Sequence, residues 1–407
     1  MNLVKFLLIG AITSTILGEF AHFPFGSSGA IYLSDILLFL SFLFFVVWET
    51  IQKTKPKFPP AFKFLVIFWA IGFASLIWSL TQYPVGEVLK GSLYLWRFII
   101  YSSSFVIIFN LKEVGLINEK TIIKILGLVG IVITFLGFLQ LIFFPKFDNP
   151  LFPLTEWGFD PHQGRLTSTF LDPNFVGAFL VLTLGLIIFK LIQSVRKVLL
   201  LQAVALILAI VLTFSRSAYL MLGTFVILGG VFIWNKVSKK QKYTFLLLCF
   251  LSLVGLSLVF PRFLERVSGG ISLDKSSAER VVSWRNGWEI FQNKPILGVG
   301  FNNYRFAQEQ KNLFKTYSAD GGHAGGGADS WVIFILATTG LLGLVVYIVF
   351  WIKVLKILLS QKTSLGLVLF LLLSSLLING QFINSLFFPP IMLWYFVALG
   401  ISVKAEK

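Results

Sequence analysis

The stretch IIKILGLVGIVITFLGFLQLIFF, Ile122 to Phe144, decides the fold class. It is apolar except for Lys124 near its start and two small polar side chains, Thr134 and Gln140. A helix needs about 20 apolar residues to cross the hydrocarbon of a bilayer. This run is long enough, and it is too uniformly greasy for one face of a soluble bundle. Similar runs flank it on both sides. They are Val4 to Leu17, Ile31 to Trp48, Phe62 to Leu80, Leu93 to Phe109, Phe175 to Leu191 and Val198 to Phe214. Further on come Ala218 to Trp234, Tyr243 to Phe260, Ser330 to Ile352, Ser364 to Ile378 and Phe387 to Val403. The expected fold is an all-α polytopic membrane protein with about twelve transmembrane helices, forming one integral membrane domain over 1–407.

Composition agrees. Of 407 residues, 57% are hydrophobic and only 13% charged, and mean hydropathy is +0.86. A soluble chain of this size carries about 25% charged residues. A soluble enzyme, a coiled coil and a disordered chain are excluded. The first run follows a lysine as a signal peptide would, but it lacks an A-x-A site and reads as a helix. The lone cysteine, Cys249, rules out an internal disulfide and a cysteine-based metal site.

The net charge is +16, and its placement says why. With the N-terminus inside, the cytoplasmic segments hold twenty Lys and Arg against Glu49, Glu113, Glu119 and Glu406. The outer segments, Lys90 among their basic residues, are close to neutral, and the loop from Glu19 to Ala30 has no Lys or Arg. The excess is therefore an orientation signal with both termini cytoplasmic, and no nucleic-acid partner is needed to explain it.

Two outer segments are too long to be turns: 145–172 and 261–328. Long ordered loops are usually functional. The second is expected to hold an amphipathic helix over 277–292, then the turn NKPILGVGFNNY, then another helix up to Phe314. It ends in ADGGHAGGGAD, a glycine-rich hinge. No fixed-period repeat is visible, so an inverted-repeat transporter is not suggested.

Charged groups at membrane depth are functional candidates. Arg97, in YLWRFIIY, forms an ion pair with Asp35 or contacts substrate. Arg216, in TFSRSAYL, either snorkels to headgroups or holds an anion. Arg280, Trp284 and Trp288 recur at helical spacing in ERVVSWRNGWEIF, with Arg285 beside them. That face lies on the bilayer surface, or its arginine enters a cavity and binds phosphate through the planar guanidinium fork. Candidate bases on this side are His162, His323, Asp172 and Asp329. Asp329, at the head of an apolar run, also suits a helix cap. No HExxH, CxxC or Walker loop occurs, so no metal site and no cofactor are expected.

Four stretches together resemble a known family. They are GRLTSTFLDPNFVGAFL (Gly164 to Leu180, with Arg165, Asp172 and Asn174), TFSRSAYL, ERVVSWRNGWEIFQNKPILGVGFNNY and DSWVIFILATTGLLG. Their order is similar to that of the O-antigen ligase and Wzy-type polymerase superfamily, over a core of about 164–350. The resemblance implies a GT-C-like fold and transfer of a glycan from an undecaprenyl-pyrophosphate carrier to a lipid, protein or wall-glycan acceptor. The site would face outward from a bacterial cytoplasmic membrane, among membrane lipids. By match, Arg216 and Arg280 bind the pyrophosphate, with Arg285 and Arg165 as further anion contacts. The family's ligases carry a histidine where this chain has Asp329, so Asp329 or His323 takes the base role, or the acceptor is activated differently. A polymerase that extends the glycan on its own carrier shares the same donor. A flippase for lipid-linked glycan would need ionisable residues along several spans, and most spans here have none.

Overall fold

A computed structural model describes residues 1–25, 29–53, 55–149, 152–154, 159, 162–233, 275–313 and 327–404, with scattered single positions between 238 and 257. The chain opens with α1 (Asn2–Ser14), a 3-10 turn (Thr15–Ala21) and a small hairpin, β1 (His22–Phe25) with β2 (Gly29–Tyr32). Then come α2 (Leu33–Gln52), α3 (Phe62–Ser79), α4 (Val85–Glu113) and α5 (Glu119–Phe143). A second hairpin, β3 (Asp148–Asn149) with β4 (Phe152–Pro153), leads to α6 (Pro173–Gln193), α7 (Lys197–Leu212) and α8 (Arg216–Ile233). The last described elements are α9 (Lys275–Asn293), α10 (Tyr304–Gln310), α11 (Trp331–Ser360), α12 (Ser364–Asn379) and α13 (Pro389–Ser402).

Seven of the described helices are long and apolar enough to cross a membrane, and four more apolar helices are shorter. Among the described residues the all-α, multi-pass expectation therefore rests on several long apolar helices. Most of the run Tyr243 to Phe260, and all of 261–274 and 314–326, lie outside the described residues. The expected Leu93 to Phe109 span sits inside the longer α4, which takes in Lys90 as well. A helix does not stop where hydropathy falls; Pro84 precedes its start, and Glu87 suits the positive end of the dipole. Apolar side chains cover the bundle's outside: Leu201 is 70% exposed and Val231 69%. In water such a surface would aggregate, and in lipid it is solvated.

Inside, α6 and α13 are buried along most of their length. Helix α13 packs on α4, α3 on α11, and α12 on both α6 and α8. Arg97 of α4 donates to Asp35 of α2 at 2.7 Å and also to the Ala30 carbonyl. The ion-pair reading of Arg97 is the one the structure contains.

Helix α11 is broken at Gly340, where φ is +67°. The break frees backbone groups, and the turn after α9 takes them up. Leu341 N–H donates to the Pro295 carbonyl at 2.8 Å, while Val299 and Gly300 N–H donate to the Ala337 and Thr338 carbonyls at 2.9 and 3.1 Å. Phe301 follows into the core against Phe68, Phe98 and Phe334. Its N–H donates to Ser75, and Asn303 donates to Ser79. Irregular backbone is tolerated inside a bundle only when protein satisfies it in this way. The P-x-L-G-x-G and G-L-L-G motifs are thus two halves of one joint, and the joint fixes α9 on α11.

A Cβ at position 340 would lie 2.2 Å from the Ile296 carbonyl oxygen. Gly340→Ala is expected to cost about 1–3 kcal/mol in backbone strain, with overpacking added to it. A thermal melt of the purified variant in detergent checks this; an unchanged Tm would contradict the joint.

Candidate functional site

One end of the bundle gathers the motif residues. Helix α6 starts at Pro173 because Asp172 caps it: its Oδ1 accepts from Asn174 N–H at 2.6 Å and Phe175 N–H at 3.2 Å. Asn174 Oδ1 then accepts from Ser215 Oγ at 2.8 Å. Ser215 lies in the tight turn between α7 and α8, where Phe214 has a φ of +49°, and its hydroxyl accepts from Ala218 N–H at 3.3 Å. The turn is held from a second side by Arg165, whose guanidinium donates to the carbonyls of Thr213 at 2.9 Å and Phe214 at 3.3 Å. Leu166 N–H donates to the Leu212 carbonyl at 2.8 Å. Arg216 follows as the first residue of α8, beside the N-terminal amides that favour anions.

Burial pushes the Asp172 carboxyl above its usual range. The Phe175 and Asn174 amides, then the charges of Arg165 and Arg280, pull the other way. Arg280 of α9 therefore bears on the same carboxylate as Arg165. The structure brings together Arg165, Asp172, Asn174, Arg280 and the turn that carries Arg216.

Asp329 meets α9 at Ser283. Its N–H donates to Ser283 Oγ at 3.0 Å, and the Ser283 carbonyl accepts from Tyr304 Oη at 3.1 Å. Ser283 is one helical turn from Arg280. Burial raises the Tyr304 hydroxyl pKa, and the Asp329 charge raises it further. The expectation that Asp329 caps the next helix is corrected: Ser330 is the N-cap of α11 and accepts from Ile333 N–H at 3.4 Å. Ser330 sits one residue closer to the first turn, so its hydroxyl reaches the amide, and Asp329 is left outside the cap.

Trp284 packs at a tilt against Phe382 with ring centroids 5.9 Å apart, and its buried indole N–H has no acceptor among the described residues. Arg285 and Trp288 are exposed on α9. His162 packs against Phe147, at 5.6 Å between ring centroids. His323 lies outside the described residues. Among the described residues no group of three or more His, Cys, Asp or Glu is placed to hold a metal.

Sequence reasoning passed over two features. Ser283, an unremarked serine in a tryptophan-rich helix, ties Asp329 to the arginine helix. Glu19, with His22 beside it, feels the Asp172 charge, and only its neighbours in space reveal it.

No curated protein matches the chain. The family model for O-antigen ligase matches residues 201–348, which take in Arg216, Arg280, Trp284, Arg285 and Asp329 and stop short of Arg165 and Asp172. The match includes the turn after α7, the arginine helix and both halves of the Gly340 joint. Through this stretch the chain, a multi-pass helical membrane protein, is similar to the O-antigen ligase family.

Proposed function

We propose that the protein is a GT-C-like membrane glycosyltransferase. It takes a glycan from an undecaprenyl-pyrophosphate carrier and places it on an acceptor at the outer face of a bacterial cytoplasmic membrane. One observation carries the reading. Arg165 is clamped on the two carbonyls before Arg216, and its charge and that of Arg280 bear on one buried carboxylate. That is a preorganised cationic corner at a membrane boundary, the environment a leaving pyrophosphate needs.

The bond from the anomeric carbon to the pyrophosphate oxygen breaks, and the bond to the acceptor oxygen forms. The electrons of the broken bond leave on the pyrophosphate, whose charge Arg216 and Arg280 hold. Arg285 is a more distant anion contact, and Arg165 fixes the turn. The acceptor hydroxyl proton passes to Asp329, or to His323 where the hinge brings it in. Arginines stabilise the leaving group without a metal, so transfer is expected to persist undiminished in a chelator. A strict requirement for added divalent cation would contradict this mechanism.

Sizing the products from lipid-pyrophosphate-linked oligosaccharide tests the reading and separates its two forms. One added glycan per acceptor marks a ligase. A ladder on the carrier marks a Wzy-type polymerase. Unchanged donor with every acceptor removes the proposal.

A further inference from the structure

Three segments meet around Asp329. Its N–H donates to Ser283 Oγ of α9 at 3.0 Å. The next residue, Ser330, donates through its hydroxyl to Gln381 Oε1 at 3.0 Å, in the turn between α12 and α13. Phe382 follows Gln381, Trp284 follows Ser283, and these two rings lie against each other. The circuit from α9 through Asp329 to the turn and back to α9 is therefore closed. Asn384 of the same turn reaches the segment that carries Asp329: a Cβ at Gly327 would stand 3.9 Å from its Nδ2. The family match stops at residue 348, so the turn lies outside it.

Most polar groups of this junction are paired. Trp331 N–H donates to the Gly380 carbonyl at 2.9 Å, and its indole donates to the Leu377 carbonyl at 3.1 Å. Asn379 Oδ1 accepts from Ser385 Oγ at 2.8 Å. Three buried atoms have no partner among the described residues: Trp284 Nε1, Asn379 Nδ2 and Asn384 Oδ1. Asn379 is fully buried, whereas Trp284 and Asn384 are half-buried residues. Asn384 also stands where it could cap the 3-10 turn Ser385–Phe387, yet its side chain makes no cap bond. A bare indole donor and a bare amide acceptor are costly in a folded protein unless a ligand or water meets them. One hydroxyl serves both, accepting from the indole and donating to the amide oxygen. A fully ionised phosphate has no proton for the amide oxygen, and an ammonium has no lone pair for the indole. The rings of Trp284 and Phe382 add an apolar surface for C–H groups. Hydroxyls on a ring with C–H faces are the chemistry of a sugar. Arg280 lies four residues before Trp284, about 6 Å along α9, so the junction adjoins the pyrophosphate side of the site.

We propose that Trp284 and Asn384 bind one hydroxyl of a neutral sugar ring at the reactive end of the acceptor and hold that ring beside Asp329. The inference rests on the glycosyltransferase reading and names specificity-determining residues for its acceptor.

The test uses full-length protein in nanodiscs. The probes are the methyl β-glycosides of glucose, galactose and N-acetylglucosamine, with binding followed by saturation-transfer NMR. At least one glycoside is expected to bind, about 10-fold more tightly than one of its own monodeoxy derivatives. Trp284→Phe keeps an aromatic ring and removes the N–H, and Asn384→Leu removes the amide at similar size. Each variant is expected to lose the preference for the missing hydroxyl while keeping a wild-type melting curve. In transfer assays each should raise acceptor KM about 10-fold with donor KM unchanged. No binding by any of the three glycosides, or an unchanged preference in both variants, overturns the subsite and leaves the glycosyltransferase reading standing. So does a loss that is equal for parent and deoxy sugar, which marks a merely structural role, or a rise in donor KM alone. Selective binding with no transfer to any acceptor overturns that reading and the acceptor assignment with it.

Discussion

Arg216→Ala and Arg280→Ala are each expected to lower the rate of glycan transfer by about 10²–10³-fold or more, while the protein stays folded in the membrane. That is the scale seen when one preorganised donor to a developing anion is removed. The loss should fall mainly on kcat, because the leaving oxygen gains most of its charge in the transition state. Lysine is expected to rescue poorly, since an ammonium cannot pair two phosphate oxygens through a planar fork. Arg165→Ala should also be slow, but by another route. Its guanidinium spans the carbonyls of Thr213 and Phe214, so its removal loosens the turn that aims Arg216. Initial rates with purified variants, beside a melting curve for each, check the set. Full activity in both Arg216→Ala and Arg280→Ala would end the pyrophosphate clamp.

Asp329→Asn is expected to lower kcat by about 10²–10⁴-fold, the usual contribution of a general base, with donor KM little changed. The amide keeps the shape and the backbone bond to Ser283, so folding is not the expected cause. A base must be ionised to work. Wild-type turnover should therefore fall as pH drops and the carboxylate takes up a proton, and the asparagine variant should lack that limb. The pH–rate profile of the two proteins separates a base from a positioning group. If His323→Ala is the damaging change and Asp329→Asn is silent, the proton acceptor is the histidine of the glycine hinge.

Much of the architecture was legible because lipid imposes a simple rule on sequence. An apolar run such as Ile122 to Phe144 has few alternatives to a spanning helix. Buried charge is equally readable, and Arg97 in an apolar run called for a carboxylate such as Asp35. The two glycine motifs were visible as motifs, but their contact was not. Nothing in one dimension says that Pro295 would satisfy the amide freed by a break at Gly340. Hydropathy also started this helix late, at Leu93 and not Val85, because capping and the dipole set helix ends as much as apolarity does. The cap at Ser330 in place of Asp329 is a difference of one residue. It takes the helix-cap role away from the Asp329 carboxylate. Glu19 and His22 were hidden for another reason. Glu19, which holds His22, meets the charge of Asp172 where Gly18 closes on Thr169, far along the chain.

The central claim is that a glycan changes bonds at the Arg216 corner, not merely sides of the membrane. The most direct measurement follows a doubly labelled donor, with one label in the glycan and one in the polyprenyl pyrophosphate, in proteoliposomes with acceptor and chelator. The account predicts one free polyprenyl pyrophosphate for each new glycosidic bond, and neither product with Arg216→Ala. A donor that crosses the bilayer with both labels still joined would contradict it.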